Sequence, residues 1–254
     1  MNPDPKRIAM WSGPRNLSTA MMYAFASRDD CAVVDEPFYG AYLKATGMDH
    51  PMREVVIAAQ DSDPAQVAQS LLGPVQQDLF YQKQMTLHMI PEFDRGFMRG
   101  LTNVFLIRHP ARVVASYARK REAPTLADIG FVQQVELFDE VADWLGKAPL
   151  VIDSFDIRAS PERALKRLCT ALGVTFQPEM LHWTKGSKPF DGAWAAHWYE
   201  AVHGSTGFEQ PEGRLPDLTG HFAELVEQAM PYYDKLRAFL LWSGANEKFD
   251  TTKD

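Results

Sequence analysis

Short apolar runs alternate along the chain with longer stretches whose apolar residues recur at helical spacing, and this rhythm predicts strands alternating with helices. Arg7 to Trp11 is the first buried strand, the turn "SGPRN" follows, and Leu17 to Ala26 is a helix with Leu17, Met21, Ala24 and Phe25 on one face. "CAVVDEP" (Cys31 to Pro37) is a second strand ending in two carboxylates. Pro51 to Gln77 is polar and helix-compatible, with breaks at Pro64 and at Gly73–Pro74. Asp78 to Met85 alternates as a third strand, and Leu101 to Pro110 is a fourth, leading into a helix from Pro110 to Arg121. Proline suits a first helical position because its missing N–H would be unpaired there. "APLVIDS" (Ala148 to Ser154) is the fifth strand. "SPERALKRLCTALGV" is a helix that opens on a Ser cap and closes on Gly173. His182 to Pro216 has little periodicity and reads as an ordered functional loop or lid, and a last helix is expected from Phe222 to Trp242.

Strands alternating with helices imply an α/β fold: a mainly parallel sheet of about five strands, covered by helices on both faces as a P-loop-like three-layer sandwich. No repeat or linker divides it, so a single domain over 1–254 is expected, with 182–216 covering the site. Ligands of such sheets bind beyond the carboxyl ends of the strands.

Composition narrows the function classes. Hydrophobic residues make up 46% of 254 and charged residues 23%, enough for a sizeable core. The net charge of −7 disfavours a long polyanionic partner such as nucleic acid, though a local cationic pocket for a small anion remains open. Cys31 and Cys169 form no CxxC and read as reduced core residues. "MNPDPKR" is polar and no uncharged stretch reaches membrane-spanning length, so neither a signal peptide nor a membrane partner is expected and the location is read as cytoplasmic. The histidines form no HExxH or Cys/His cluster, so no metal is expected.

The first loop carries candidate chemistry. A strand, a tight turn and a helix N-terminus present free backbone N–H groups and the positive end of the helix dipole. In "GPRNLST" (Gly13, Pro14, Arg15, Asn16, Leu17, Ser18, Thr19), Gly13 permits close approach, Arg15 offers a charged planar fork, and Ser18 and Thr19 add hydroxyl donors. The same residues suit an ordinary turn with a surface arginine. A GxxxxGK[ST] loop is absent, which weakens the reading as a magnesium-dependent triphosphatase or small-metabolite kinase. "FLIRHPARVVAS" supplies the second feature: Arg108 follows four apolar strand residues, where an unpartnered charge is costly, and Ser116 lies eight residues on in the next helix. Arg119 to Arg121 read as a solvated face.

Two anion sites on one sheet suit a nucleotide with phosphates at both ends of its ribose. Here the sequence resembles the sulfotransferases that use 3′-phosphoadenosine 5′-phosphosulfate (PAPS), as a divergent bacterial-type member, over roughly residues 7 to 210. The resemblance implies that "SGPRNLSTAM" grips the 5′-phosphosulfate and that Arg108 and Ser116 grip the 3′-phosphate. Arg15 stands where cytosolic members carry lysine and would steady the leaving phosphate. "TKGSKPFDGAWAAHW" (Thr184 to Trp198) is a loose counterpart of a late nucleotide-covering segment, through which Lys185 and Lys188 would reach the 3′-phosphate.

The resemblance leaves two candidate bases. Glu36 stands 21 residues after Arg15, where carbohydrate-directed members place a catalytic glutamate, whereas His88 follows the third strand, where cytosolic members place a histidine near a lysine. Lys83 is five residues from His88, a looser spacing than theirs, and Asp35 reads as structural. Glu36 is placed slightly ahead. The implied activity is sulfuryl transfer to a hydroxyl or amine of a small-molecule acceptor, the alternatives being a P-loop kinase or a non-catalytic nucleotide-binding protein on the same fold. The acceptor and the oligomeric state are not legible.

Overall fold

In the computed structural model the described residues are all but residue 3, residues 120–122 and residues 243–254. Five strands, β1 (Lys6–Ser12), β2 (Cys31–Asp35), β3 (Leu79–Met85), β4 (Thr102–Ile107) and β5 (Leu150–Asp153), form one sheet in the order β2-β3-β1-β4-β5. Every ladder is parallel. Parallel strands need long crossovers, and helices serve as most of them. These are α1 (Ser18–Ala26), α2 (Tyr39–Thr46), α3 (Arg53–Ala59), α4 (Pro64–Leu71), α5 (Pro110–Tyr117), α6 (Phe131–Leu145), α7 (Ser154–Ala159) and α8 (Pro161–Leu172). Two single-turn helices, α9 (Ala195–Trp198) and α10 (Glu200–His203), and the long α11 (His221–Arg237) complete the chain.

The apolar run of β1 is continuous because both its faces are covered. Ile8 and Met10 join a core with α1 and α8, whereas Ala9 and Trp11 join a second core with α5, α6 and α11. Cys31 and Cys169 are free and buried, and burial pushes the Cys31 thiol up to about 12. No described helix is long and apolar enough to cross a membrane.

Several expectations are corrected in detail. β3 does not alternate between buried and exposed: Gln82, Lys83 and Gln84 are all buried, because β3 lies between β1 and β2 under helices on both faces. The last helix stops at Arg237 instead of Trp242, since the chain beyond it returns to the sheet, where Leu241 N–H donates to Val151 O at 2.9 Å. α5 ends at Tyr117, and the expected extension to Arg121 runs into residues outside the described set. α2, α6 and α7 were not anticipated. The break at Pro64 is real, with Pro64 opening α4 behind an Asp63 cap that accepts from Ala65 N–H.

Candidate functional site

The carboxyl ends of β1 to β4 all open onto one cavity of about 520 Å³. At the end of β1 the loop from Gly13 to Leu17 turns tightly. A Cβ at Gly13 would sit 2.8 Å from the Ile129 carbonyl oxygen, so only glycine fits the close approach. Arg15 and Leu17 both hold left-handed φ, 63° and 70°, a conformation that costs a non-glycine residue about 1 kcal/mol or more and is retained only where the surroundings enforce it. Asn16 is buried and donates to Leu106 O at 3.3 Å, which ties the loop to β4. Leu17 caps α1 without a side-chain bond, and no acidic residue stands in the first turn, which leaves the helix dipole uncompensated there.

The two anion features meet. Arg15 Nε donates to Ser116 Oγ at 2.9 Å, and Arg108 Nη1 donates to the Arg15 carbonyl at 2.7 Å. Burial lowers the Arg15 pKa, and the nearby charges of Arg108 and Arg119 lower it further. Cations crowded in this way favour an anion between them.

Arg108 also pairs with Glu212, a contact absent from the sequence reading. Arg112 Nε lies 2.9 Å from Glu212 Oε2, and Arg158 Nη1 lies 3.1 Å from Oε1. Three arginines from the end of β4, α5 and α7 thus converge on one carboxylate whose side chain is 1% exposed. Arg158 and Glu212 are 54 residues apart and belong to no local motif, so nothing in the sequence pattern marks them.

The opposite wall is built on a buried polar network. Lys83, on β3, pairs with Asp35 Oδ1 at 2.8 Å and with Glu36, and donates to Tyr199 Oη at 2.7 Å. Tyr199 in turn donates to Asp35 at 2.7 Å and accepts from Trp194 Nε1 at 3.1 Å, while Gly192 N–H donates to Asp35 Oδ2 at 3.0 Å. Burial opposes the Lys83 charge, but Asp35 and Glu36 outweigh it and hold the ammonium well above its ordinary range. Two carboxylates share one ammonium, so the cluster is stable only as a unit. Asp35, read as structural, is the point at which the segment after α8 is fastened to the sheet.

Glu36 has φ of 40° and donates its N–H to Lys83 O at 2.9 Å, which fixes its position at the cavity wall. His88 Nδ1 lies 3.7 Å from Glu36 Oε2. The ring stacks on Tyr39 with centroids 4.2 Å apart and on Tyr42 at 5.0 Å. Burial first, then the charges of Lys83 and His50, hold the His88 pKa well below 6.5, so the imidazole is neutral at neutral pH.

The cavity brings together Pro14, Arg15, Asn16, Leu17, Ser18 and Thr19 with Arg108, Ser116, Glu36 and His88. Gly13 shapes this wall from behind. The segment 182–216 supplies a further wall through Trp183, Trp194, Trp198 and Tyr199. Lys185 and Lys188 are not brought in: Lys188 donates to Thr184 O at 2.7 Å and lines a separate depression beside Tyr23, and Lys185 is exposed.

A family model described as a sulfotransferase domain matches residues 6–239. A curated relative, branched-chain-amino-acid aminotransferase-like protein 1 of Arabidopsis thaliana, is 34% identical over 243 residues, which are 95% of this chain and 43% of that protein. The chain therefore spans less than half of that relative's length. Among solved structures, a sulfotransferase domain from the curacin biosynthetic pathway aligns with a TM-score of 0.53 at 16% identity, over 89% of this chain and 98% of that one. A sulfotransferase from Alicyclobacillus acidocaldarius aligns with a TM-score of 0.55 at 11% identity, over 94% and 98%. At those identities the structural likeness concerns the fold.

Proposed function

From the premise that the chain belongs to the sulfotransferase-domain family, we propose that it moves a sulfuryl group from PAPS to a hydroxyl or amine of a small acceptor. The observation that carries the proposal is that one cavity holds both a cationic, uncapped helix N-terminus after β1 and a carboxylate after β2. The residues fit the donor: Arg108, Arg112 and Arg158, which line the cavity with Ser116, already enclose a buried carboxylate, so this wall accepts an anion. When bound, PAPS supplies the sulfuryl group and departs as 3′,5′-ADP.

The chain's own residues then divide the work. Backbone N–H groups of Gly13 and of Arg15 to Thr19, with the α1 dipole, hold the 5′ end, and Arg15 faces the oxygen on which charge develops. Arg108 and Ser116 hold the 3′-phosphate. Glu36 accepts the acceptor's proton, oriented by Lys83 and by its own constrained backbone. Burial depresses the proton affinity of His88 and so disfavours the imidazolium that base catalysis would form there, and its stacked ring serves as a wall beside Glu36. Lys185 and Lys188 have no part in this arrangement.

Calorimetry with 3′,5′-ADP tests the donor. The wild type binds, Arg108→Ala does not, and a wild type that fails to bind sinks the proposal. Transfer from PAPS across a panel of phenols, alcohols and amines tests the chemistry, with Glu36→Gln expected to slow it about 10²- to 10⁴-fold and His88→Phe far less. Binding of 3′,5′-ADP without transfer to any acceptor favours the non-catalytic alternative.

A further inference from the structure

The Glu212 carboxylate is buried among three arginines, yet the segment that delivers it is weakly anchored. Residues 209–217 make no backbone–backbone hydrogen bond to the other described residues. They are held largely by arginine side chains: Arg158 donates to Gln210 O at 2.6 Å and pairs with Glu209 at 3.0 Å, and Arg112 donates to Gly213 O. Three arginines face two carboxylates, the buried Glu212 and the exposed Glu209, so the cluster keeps one positive charge in excess, and two once Glu212 leaves, which suits a dianion. Arg112 and Ser116 are four residues apart on α5 and therefore share a face, which places Arg112 beside the hydroxyl that Arg15 already engages.

We propose that Arg112 and Arg158 complete, with Arg108 and Ser116, the site for the donor's second phosphate, and that Glu212 is a built-in occupant which that phosphate must expel. The inference rests on the PAPS reading above. A carboxylate offers two acceptor oxygens to guanidinium forks and a phosphate offers three with more charge, so the exchange keeps every arginine partnered. With Glu212 seated, only the fraction of molecules in which it has left binds the donor, and the apparent affinity is reduced by that fraction. The device discriminates: a nucleotide that lacks the second phosphate cannot displace Glu212 and gains nothing when it is removed.

The test is calorimetry of 3′,5′-ADP and of 5′-AMP with wild type, Glu212→Gln and Arg158→Gln. Glu212→Gln is expected to tighten 3′,5′-ADP at least about tenfold, the gain for a site free one-tenth of the time, while leaving 5′-AMP unchanged. Arg158→Gln is expected to weaken 3′,5′-ADP and spare 5′-AMP. If the wild type binds 3′,5′-ADP and Glu212→Gln binds it no tighter, Glu212 is a structural strap and the inference is overturned while the donor reading stands. If neither chain binds 3′,5′-ADP, the donor reading falls and takes the inference with it. Should Glu212→Gln not fold, limited proteolysis of the wild type decides. Saturating 3′,5′-ADP must speed tryptic cleavage after the exposed Arg214 while 5′-AMP leaves it unchanged, and cleavage that is unchanged or slower with 3′,5′-ADP overturns the inference.

Discussion

Replacing Lys83 by methionine removes a charge with almost no change in side-chain volume, and so isolates the electrostatics of the buried network. Lys83 is 1% exposed, and its ammonium is the cation nearest both Asp35 and Glu36. At an effective dielectric constant of about 20, a single pair at 2.8 Å attracts by about 6 kcal/mol. Much of that offsets the desolvation of the three groups, so the measurable quantity is the cost of leaving the carboxylates without a partner, about 3–5 kcal/mol. For a chain of this size that loss lowers the melting temperature by about 6 to 20 °C. Urea titration followed by circular dichroism reads the loss directly. The pH dependence carries a second signature. Burial already pushes the Asp35 pKa up, and removing Lys83, which pulls it down, pushes it further. The folded variant then binds protons that the unfolded chain does not, so its deficit shrinks as pH falls from 7 toward 5. Adding Asp35→Asn to Lys83→Met should recover part of the loss at pH 7. A Lys83→Met deficit below about 1 kcal/mol, or one independent of pH, refutes the view that Lys83 neutralises this cluster.

Two further outcomes probe the cavity walls. Gly13→Ala drives a Cβ against a backbone carbonyl that has no rotamer to yield, so the loop must shift, at about 1–3 kcal/mol in the urea titration and with weaker 3′,5′-ADP binding; an unchanged midpoint removes the packing argument. His88 is held neutral in the folded state while the unfolded chain protonates near pH 6.5, so stability falls as pH drops below that value, by up to about 1.4 kcal/mol per pH unit. His88→Phe keeps the stacking on Tyr39 and removes the titration, so the difference between the two stability curves should grow from pH 7 to 5; parallel curves refute it.

The sheet was legible because buried parallel strands write themselves as unbroken apolar runs, and Ile8–Trp11 and Val104–Ile107 are such runs. The Gly13–Thr19 turn and the Arg108–Ser116 pair stood out as candidates because each is local, a turn or one helix long. α6 keeps helical spacing at Phe131, Val135, Phe138 and Val141 but lacks a side-chain cap and has no acidic residue in its first turn or basic residue in its last, so its ends are weakly marked in the sequence. The charge networks were hidden for a different reason. Tyr199 reaches Asp35 across 164 residues and Glu212 reaches Arg108 across 104, and no pattern in a single sequence encodes such pairings. The three consecutive polar residues of β3 were a signal read wrongly. They broke the alternation expected of a half-exposed strand, and what they marked was a polar network crossing a buried one.

The sheet order also bears on how the chain is made. β1 takes its neighbours from much later in the sequence, Lys6 facing Leu79 on one side and Ile8 facing Thr102 on the other. At a ribosomal pace of about 5–20 residues per second, Ile8 to Trp11 wait about 4 to 15 seconds for their first partner strand. During that interval a fully apolar segment has no ladder to join and is open to capture by a holdase or by another nascent chain. The strand that bears the Gly13–Leu17 loop is thus synthesised before both of its partners, and the loop gains its shape only after β4 has arrived to receive Asn16.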